Sequence, residues 1–266
     1  MKSCQRQRSG RQLTGNAAQR AVYMFTEEKN GGAMNSSDRE KHFLLLQVND
    51  ALFPIGAYSH SYGLETYIQK DLVKNAAQAW QFIKSRMLNG FCYNEFLSAR
   101  LAWEEADSGD ISKLVELEDN LQAFRVPREI REAGNKLGSR FVKTLRALDI
   151  PYESDIFNEY IKIRGKSPVS HSVIYGVFCA AAGIDKESAL EAFLYAQAST
   201  MVTNCVKTIP LSQSDGQMLL FKSHEIFGEI LDILEDLTEE DLCLSAPGFD
   251  IRCMQHEGLY SRIYMS

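Results

Sequence analysis

From about Glu40 to the last residues, apolar side chains recur three and four positions apart. Nowhere does an alternation of two persist beside turn signals. The first spacing lines one face of a helix, whereas a strand needs the second. The chain is thereby confined to helix packed on helix. The spacing predicts helices over about 38–52, 61–70, 75–105, 110–123, 127–148, 153–164, 173–183 and 187–207. A long helix opens at Ser212, a short segment covers about 238–244, and a final stretch follows Gly248 to Ser266. Asn75, Asp110, Asp185 and Ser212 stand where side-chain caps belong. Gly90 marks a bend in the third segment, Pro127 fits a first turn, and Pro210 ends a helix. No fixed period recurs, so the chain is not a solenoid. The expectation is an all-α protein: a single globular domain of about ten helices over 38–266. With 266 residues, 45% of them apolar, it is large enough for one such core.

Residues 1–37 read differently. They are rich in Arg, Gln, Ser, Asn and Gly and hold too little apolar surface to offset the entropy of ordering. They are expected to form a disordered basic extension. Lys2, Arg6, Arg8, Arg11 and Arg20 precede the first acid, Glu27; removing those five charges from the net −6 leaves −11 for the rest. An acidic body argues against nucleic acid as the main ligand. No apolar run approaches the ~18 residues that span a bilayer, and the N-terminus lacks the apolar region of a secretory signal. The six cysteines, at 4, 92, 179, 205, 243 and 253, include no C-x-x-C pair and mostly lie in apolar helical context. They read as free thiols, which places the protein in a reducing cytoplasm.

One run interrupts the helical pattern early: Pro54-Ile55-Gly56-Ala57-Tyr58-Ser59-His60-Ser61-Tyr62-Gly63-Leu64-Glu65. A loop crowded with aromatic and polar groups is where function concentrates. The usual catalytic patterns are missing. Gly165-Lys166-Ser167 has the end of a phosphate loop, but Tyr160 stands where its first glycine must be. The residues three before the five histidines are Arg39, Ala57, Pro168, Phe221 and Cys253, so no Glu-x-x-His of a di-iron bundle exists. His256-Glu257 continues Gly258-Leu259-Tyr260, which is no zinc-protease motif. These absences favour a scaffold or chaperone without catalytic residues, metal ligands or a cofactor. The rival is a helical metal-dependent hydrolase with dispersed ligands, which a stoichiometric, tightly held metal would reveal.

The Pro54–Glu65 run resembles the Pro-x-Gly-x-Phe/Tyr-x-His-Ser-x-Gly-Leu-Glu pattern of the UreF family of urease accessory proteins. Further segments agree in order. Ser167 to Gly176 resembles the family's His-Pro-Val region with extra spacing, and Glu132 to Arg140 resembles its Glu and Gly segment. Asn204 to Gln217 is similar to its basic-x-x-Pro-Leu-x-Gln-x-x-Gly-Gln. His256 to Ser266 is similar to its His-Glu-x-x-Tyr-Ser-Arg-Leu-Phe-x-Ser end. Ala57-Tyr58 and Met265 depart from the commoner residues. The resemblance covers about Phe43 to Ser266. It implies an all-α homodimer that binds UreD (UreH in some lineages) and the GTPase UreG. That assembly uses GTP hydrolysis to insert nickel into apo-urease. Residues 1 to about 35 are expected to be dispensable because of their polar, Arg-rich, unpatterned composition: their deletion should leave both thermal melting and urease activation unchanged.

Pro54, Gly56, Tyr58, His60, Glu65 and Lys207 are the candidates for the GTPase side. Tyr58 and His60 either face that partner or fold back on the core. Glu65 either contacts the GTPase or balances its helix dipole. Lys207 suits a helix C-terminus for the same electrostatic reason. Gly216-Gln217 is a packing position or a partner contact. Leu259, Tyr260, Arg262, Ile263 and Tyr264 are the candidates for the UreD side. Their apolar members are three and four apart, as in a helix seeking a groove, and a chain end frays unless docked.

Overall fold

Asn75, Asp110 and Asp185 each accept a hydrogen bond from the backbone N–H three residues on, at 3.0, 3.1 and 2.8 Å. Ser212 and Asp215 cap each other reciprocally. Each satisfies an N–H that a helix start leaves orphaned; at the first helix, where Ser36 or Ser37 reads as the cap, it is Asn35 Oδ1 that accepts from Asp38 N at 2.8 Å. The computed structural model describes residues 35–244 and 246–266. Almost all of the extension expected over 1–37 lies outside the described residues. Contacts group Arg39–Ser266 into one unit.

The helices are α1 Ser36–Val48, α2 Leu64–Gln69, α3 Ala76–Arg86, α4 Leu97–Ser108, α5 Ile111–Phe124, α6 Arg128–Leu145, α7 Ile156–Arg164, α8 His171–Ala181, α9 Lys186–Thr208, α10 Gln213–Asp236 and α11 Pro247–His256. A π-helical stretch, Met87–Phe96, joins α3 to α4 without a break. With that rod counted once there are ten helices, and no strand, among the described residues. The all-α expectation holds. Several details differ from the spacing, most by two to four residues at a helix end. α1 stops at Val48 rather than Leu52, and the segment expected to bend at Gly90 is π-helical there. Only a 3-10 turn, Glu239–Asp241, forms in the 238–244 segment. The last helix ends at His256, well short of Ser266.

The core is built around α8, of which every residue except Ala180 is buried. It packs against α4 through Gly176. A Cβ there would lie 2.9 Å from Trp103 N and 3.0 Å from Ala102 Cβ, so only glycine lets the two backbones meet. Ser98 and Ser172 hydrogen-bond across the same contact at 2.7 Å. Gly176→Ala should cost about 2 kcal/mol or more by overpacking, which a thermal melt would read as a fall of roughly 4–8 °C. Gly216 plays a similar part between α10 and α9, where a Cβ would meet Val206 Cγ2 at 2.7 Å. It is thereby a packing position.

Candidate partner-binding site

The chain leaves α1 through the Pro54 loop, which turns at two glycines in the left-handed region: Gly56 at φ +83° and Gly63 at φ +87°. Tyr62, between them, is also left-handed at φ +52°. Turning the backbone this way aims the main chain of residues 59–61 at residues from the far end of the sequence. Ser61 N donates to Ser266 O at 2.6 Å and Met265 N to Ser59 O at 2.9 Å. His60 Nδ1 lies 2.8 Å from Ser266 Oγ. From α9, Asn204 Nδ2 donates to the His60 carbonyl at 2.8 Å, and Tyr264 OH donates to the Asn204 carbonyl at 3.4 Å.

Glu65, in the first turn of α2, secures the tail. Its Oε1 accepts from Ile263 N at 2.7 Å and its Oε2 from Tyr264 N at 3.0 Å. His256 Nε2 lies 3.1 Å from that same Oε2, and His256 Nδ1 lies 2.6 Å from Glu129 Oε2. The His256 ring thus bridges the two carboxyl groups, one at each nitrogen. Glu129 Oε1 also accepts from Arg262 Nη1 at 2.8 Å. Glu65 and His256 are both buried, and a buried charge is tolerated when it is paired and hydrogen-bonded. This latch explains why the tail is not helical beyond His256. Its amides at 263, 264 and 265 bond Glu65 and Ser59 instead of carbonyls four residues back.

The expected site residues therefore divide by position. Tyr58 is 61% exposed and does not fold back on the core; the Lys207 amine stands 5.5 Å from its ring centroid. Pro54 and Lys207 are exposed as well, and Gly56 is buried. His60, Glu65 and Tyr264 are buried, so they hold the surface rather than form it. For Glu65 the first-turn position that the dipole reading needs is present, and tail binding is added to it, while its burial leaves no side-chain surface for a direct GTPase contact. Tyr260 is fully exposed, Ile263 is 75% exposed, Leu259 is half-buried, and Arg262 pairs with Glu129. His60, Glu129, Lys136, Arg262, Ile263 and Tyr264 line a cleft of about 560 Å³. The latch members Glu129, Asn204, His256 and Ser266 carried no role in the sequence reading. For Glu129, Asn204 and His256 the available signal was a polar residue on the apolar face of its helix.

Burial, then the nearby charges of Lys136 and Arg140, hold the His60 pKa down to about 4. Burial alone lowers that of His171 to about 4. Both rings are neutral in the folded chain, while in the unfolded chain they protonate near 6.5. Below pH 6.5 the unfolded state binds more protons, so stability falls as pH drops from about 6.5 to 4 and is unaffected by these groups above that window. The expected slope is up to about 1.4 kcal/mol per pH unit for each ring. Urea melts at pH 7.5, 6 and 5 check it, and His171→Phe should flatten the slope.

Reactive chemistry finds little footing. Burial pushes the thiols of Cys92 and Cys253 up to about 11 and that of Cys205 to about 12, which suppresses the thiolate. Among the described residues no three His, Cys, Asp or Glu side chains are grouped so as to hold a metal ion. No helix among them is long and apolar enough to cross a membrane.

Known proteins align with this chain over most of its length. The model of the UreF family matches residues 73–224. The urease accessory protein UreF of Haemophilus influenzae (strain PittGG) is 36% identical over 227 residues, covering 84% of this chain and 94% of the relative. That of Bacillus sp. (strain TB-90) is 34% identical over 224 residues, covering 84% and 97%. That of Lachnoclostridium phytofermentans is 32% identical with the same coverage.

Proposed function

Because the chain belongs to the UreF family of urease accessory proteins, whose members assist rather than catalyse, we propose that it is a cytoplasmic scaffold for nickel insertion into apo-urease. It binds UreD (UreH) and the GTPase UreG and contributes no catalytic group itself. The observation that carries this reading is the latch. Buried polar residues fix the Pro54 loop and the tail to each other, and the side chains left outside are aromatic and aliphatic: Tyr58, Tyr260 and Ile263. A rigid frame presenting such residues is a binding surface with little ordering cost. Tyr58 with Lys207 serves the GTPase side, and Leu259, Tyr260, Arg262 and Ile263 serve the UreD side.

A homodimer belongs to the same proposal. Tyr195 on α9 and Phe221 on α10 are both exposed, and both pack on His224, at 6.3 and 5.5 Å between ring centroids. Met218, a turn earlier on α10, is also exposed. A contiguous apolar patch of this kind suits a two-fold contact between identical chains. Co-expression with UreD, UreG and apo-urease tests the reading. The four proteins should co-purify, and urease activity should depend on this chain; failure to co-purify with any of them contradicts it.

A further inference from the structure

Away from the latch, two arginines meet in a second place. Arg86, at the end of α3, folds back over Gly90, where a Cβ would lie 3.2 Å from its Nη1. Its guanidinium rests 5.2 Å from the centroid of Phe91 and 4.9 Å from that of Phe249. Arg125, just past α5, brings Nη2 to 3.0 Å from Glu95 Oε1. Both arginines are more than nine-tenths buried. Yet Arg86 Nε has no hydrogen-bond partner, and neither has Arg125 Nη2, whose approach to Glu95 is close but misaligned. The two residues line one cavity of about 20 Å³ together with Glu95 and Asp250. Its lining continues to Phe124 and Val126, which are 51% and 62% exposed.

Guanidinium nitrogens only donate, so the group that completes this pocket is an acceptor. A single water needs ~10–15 Å³ of such space, so the cavity takes one oxygen-sized group and excludes a phosphate or a ring. Charge narrows the choice further. Glu95 already pairs with Arg125 and Asp250 lines the same cavity, so a carboxylate would add to the negative charge present there. A carbonyl oxygen adds none. Exposed apolar side chains around a buried arginine pair are the usual make-up of an energetic centre in a protein contact.

We propose that the Arg86–Arg125 pocket receives a carbonyl oxygen from a partner polypeptide that rests on Phe124 and Val126. Asp250 belongs to α11, which runs into the tail residues assigned above to UreD. The partner is therefore UreD, and to that extent the inference rests on the proposed function.

The test is the affinity of the full-length chain for purified UreD. Val126→Asp and Val126→Lys should each weaken binding by about tenfold or more, with melting temperature unchanged; Phe124→Asp should do the same. Unchanged affinity in all three overturns the proposal and leaves water as the pocket's occupant. Weakening by Val126→Asp with tightening by Val126→Lys overturns the carbonyl assignment in favour of a carboxylate. If the unaltered chain does not bind UreD, the assignment of UreD itself falls, a result distinct from either of these.

Discussion

Glu65→Ala is expected to release the tail and to lower the melting temperature by on the order of 10 °C. The residue is buried and is the common acceptor for Ile263 N, Tyr264 N and His256 Nε2. Its loss strands two amide donors and leaves the His256 ring with Glu129 alone. Removing one partner from a buried charged network costs about 3–5 kcal/mol, and each kcal/mol is worth roughly 2–4 °C in a chain of this size. Glu65→Gln should cost less, about 1–3 kcal/mol. It keeps one acceptor oxygen but turns an amide N–H₂ towards groups that are themselves donors. Differential scanning calorimetry measures both, and limited proteolysis should cut the Ala variant between Gly258 and Ser266. A loss below about 1 kcal/mol for Glu65→Ala would mean that the latch contributes little to the fold.

The second large effect concerns binding and leaves the fold alone. Tyr58→Ala should weaken recruitment of UreG by about 30-fold, the equivalent of the ~2 kcal/mol typical of a central aromatic contact. The ring is mostly exposed, and its recorded partner is the Lys207 amine. Such exposed cation–π contacts are worth ~0.5–1 kcal/mol, so the melting temperature should hardly move. Tyr58→Phe keeps the ring and should retain most of the affinity. Biolayer interferometry beside a circular dichroism melt separates the cases. Undiminished binding by Tyr58→Ala removes the loop from the GTPase side. Binding lost together with the fold would instead make Tyr58 structural.

Much of the architecture was legible because helices announce themselves locally. The caps at Asn75, Asp110, Asp185 and Ser212 act within three residues of themselves, and each stands where its side-chain type predicts. The Pro54 loop was legible for the same reason, since proline and glycine set backbone angles on the spot. What escaped the spacing is long-range. Glu65 meets Ile263 and Tyr264 nearly two hundred residues away, and nothing in the local pattern around either end shows it. Periodicity over 259–264 reads as a helix because apolar residues are correctly spaced, but the side chain of Glu65 competes successfully for the amides such a helix would use. The surroundings of the π stretch are similar: Gly90 leaves local space for Arg86, but the packing of that guanidinium on Phe249, far along the chain, is not visible in the local pattern.

In the free chain the loop and the tail are already joined. Hydrogen exchange of the isolated full-length protein, measured alone and with UreD, tests this most directly. If the latch is as described, the amides of Ser61, Ile263, Tyr264 and Met265 are strongly protected without any partner, and UreD adds protection mainly to amides around exposed Tyr260 and to those near Val126. Fast exchange at 263–265 in the free chain, becoming slow only when UreD is added, would contradict the account and restore a tail that orders on its partner.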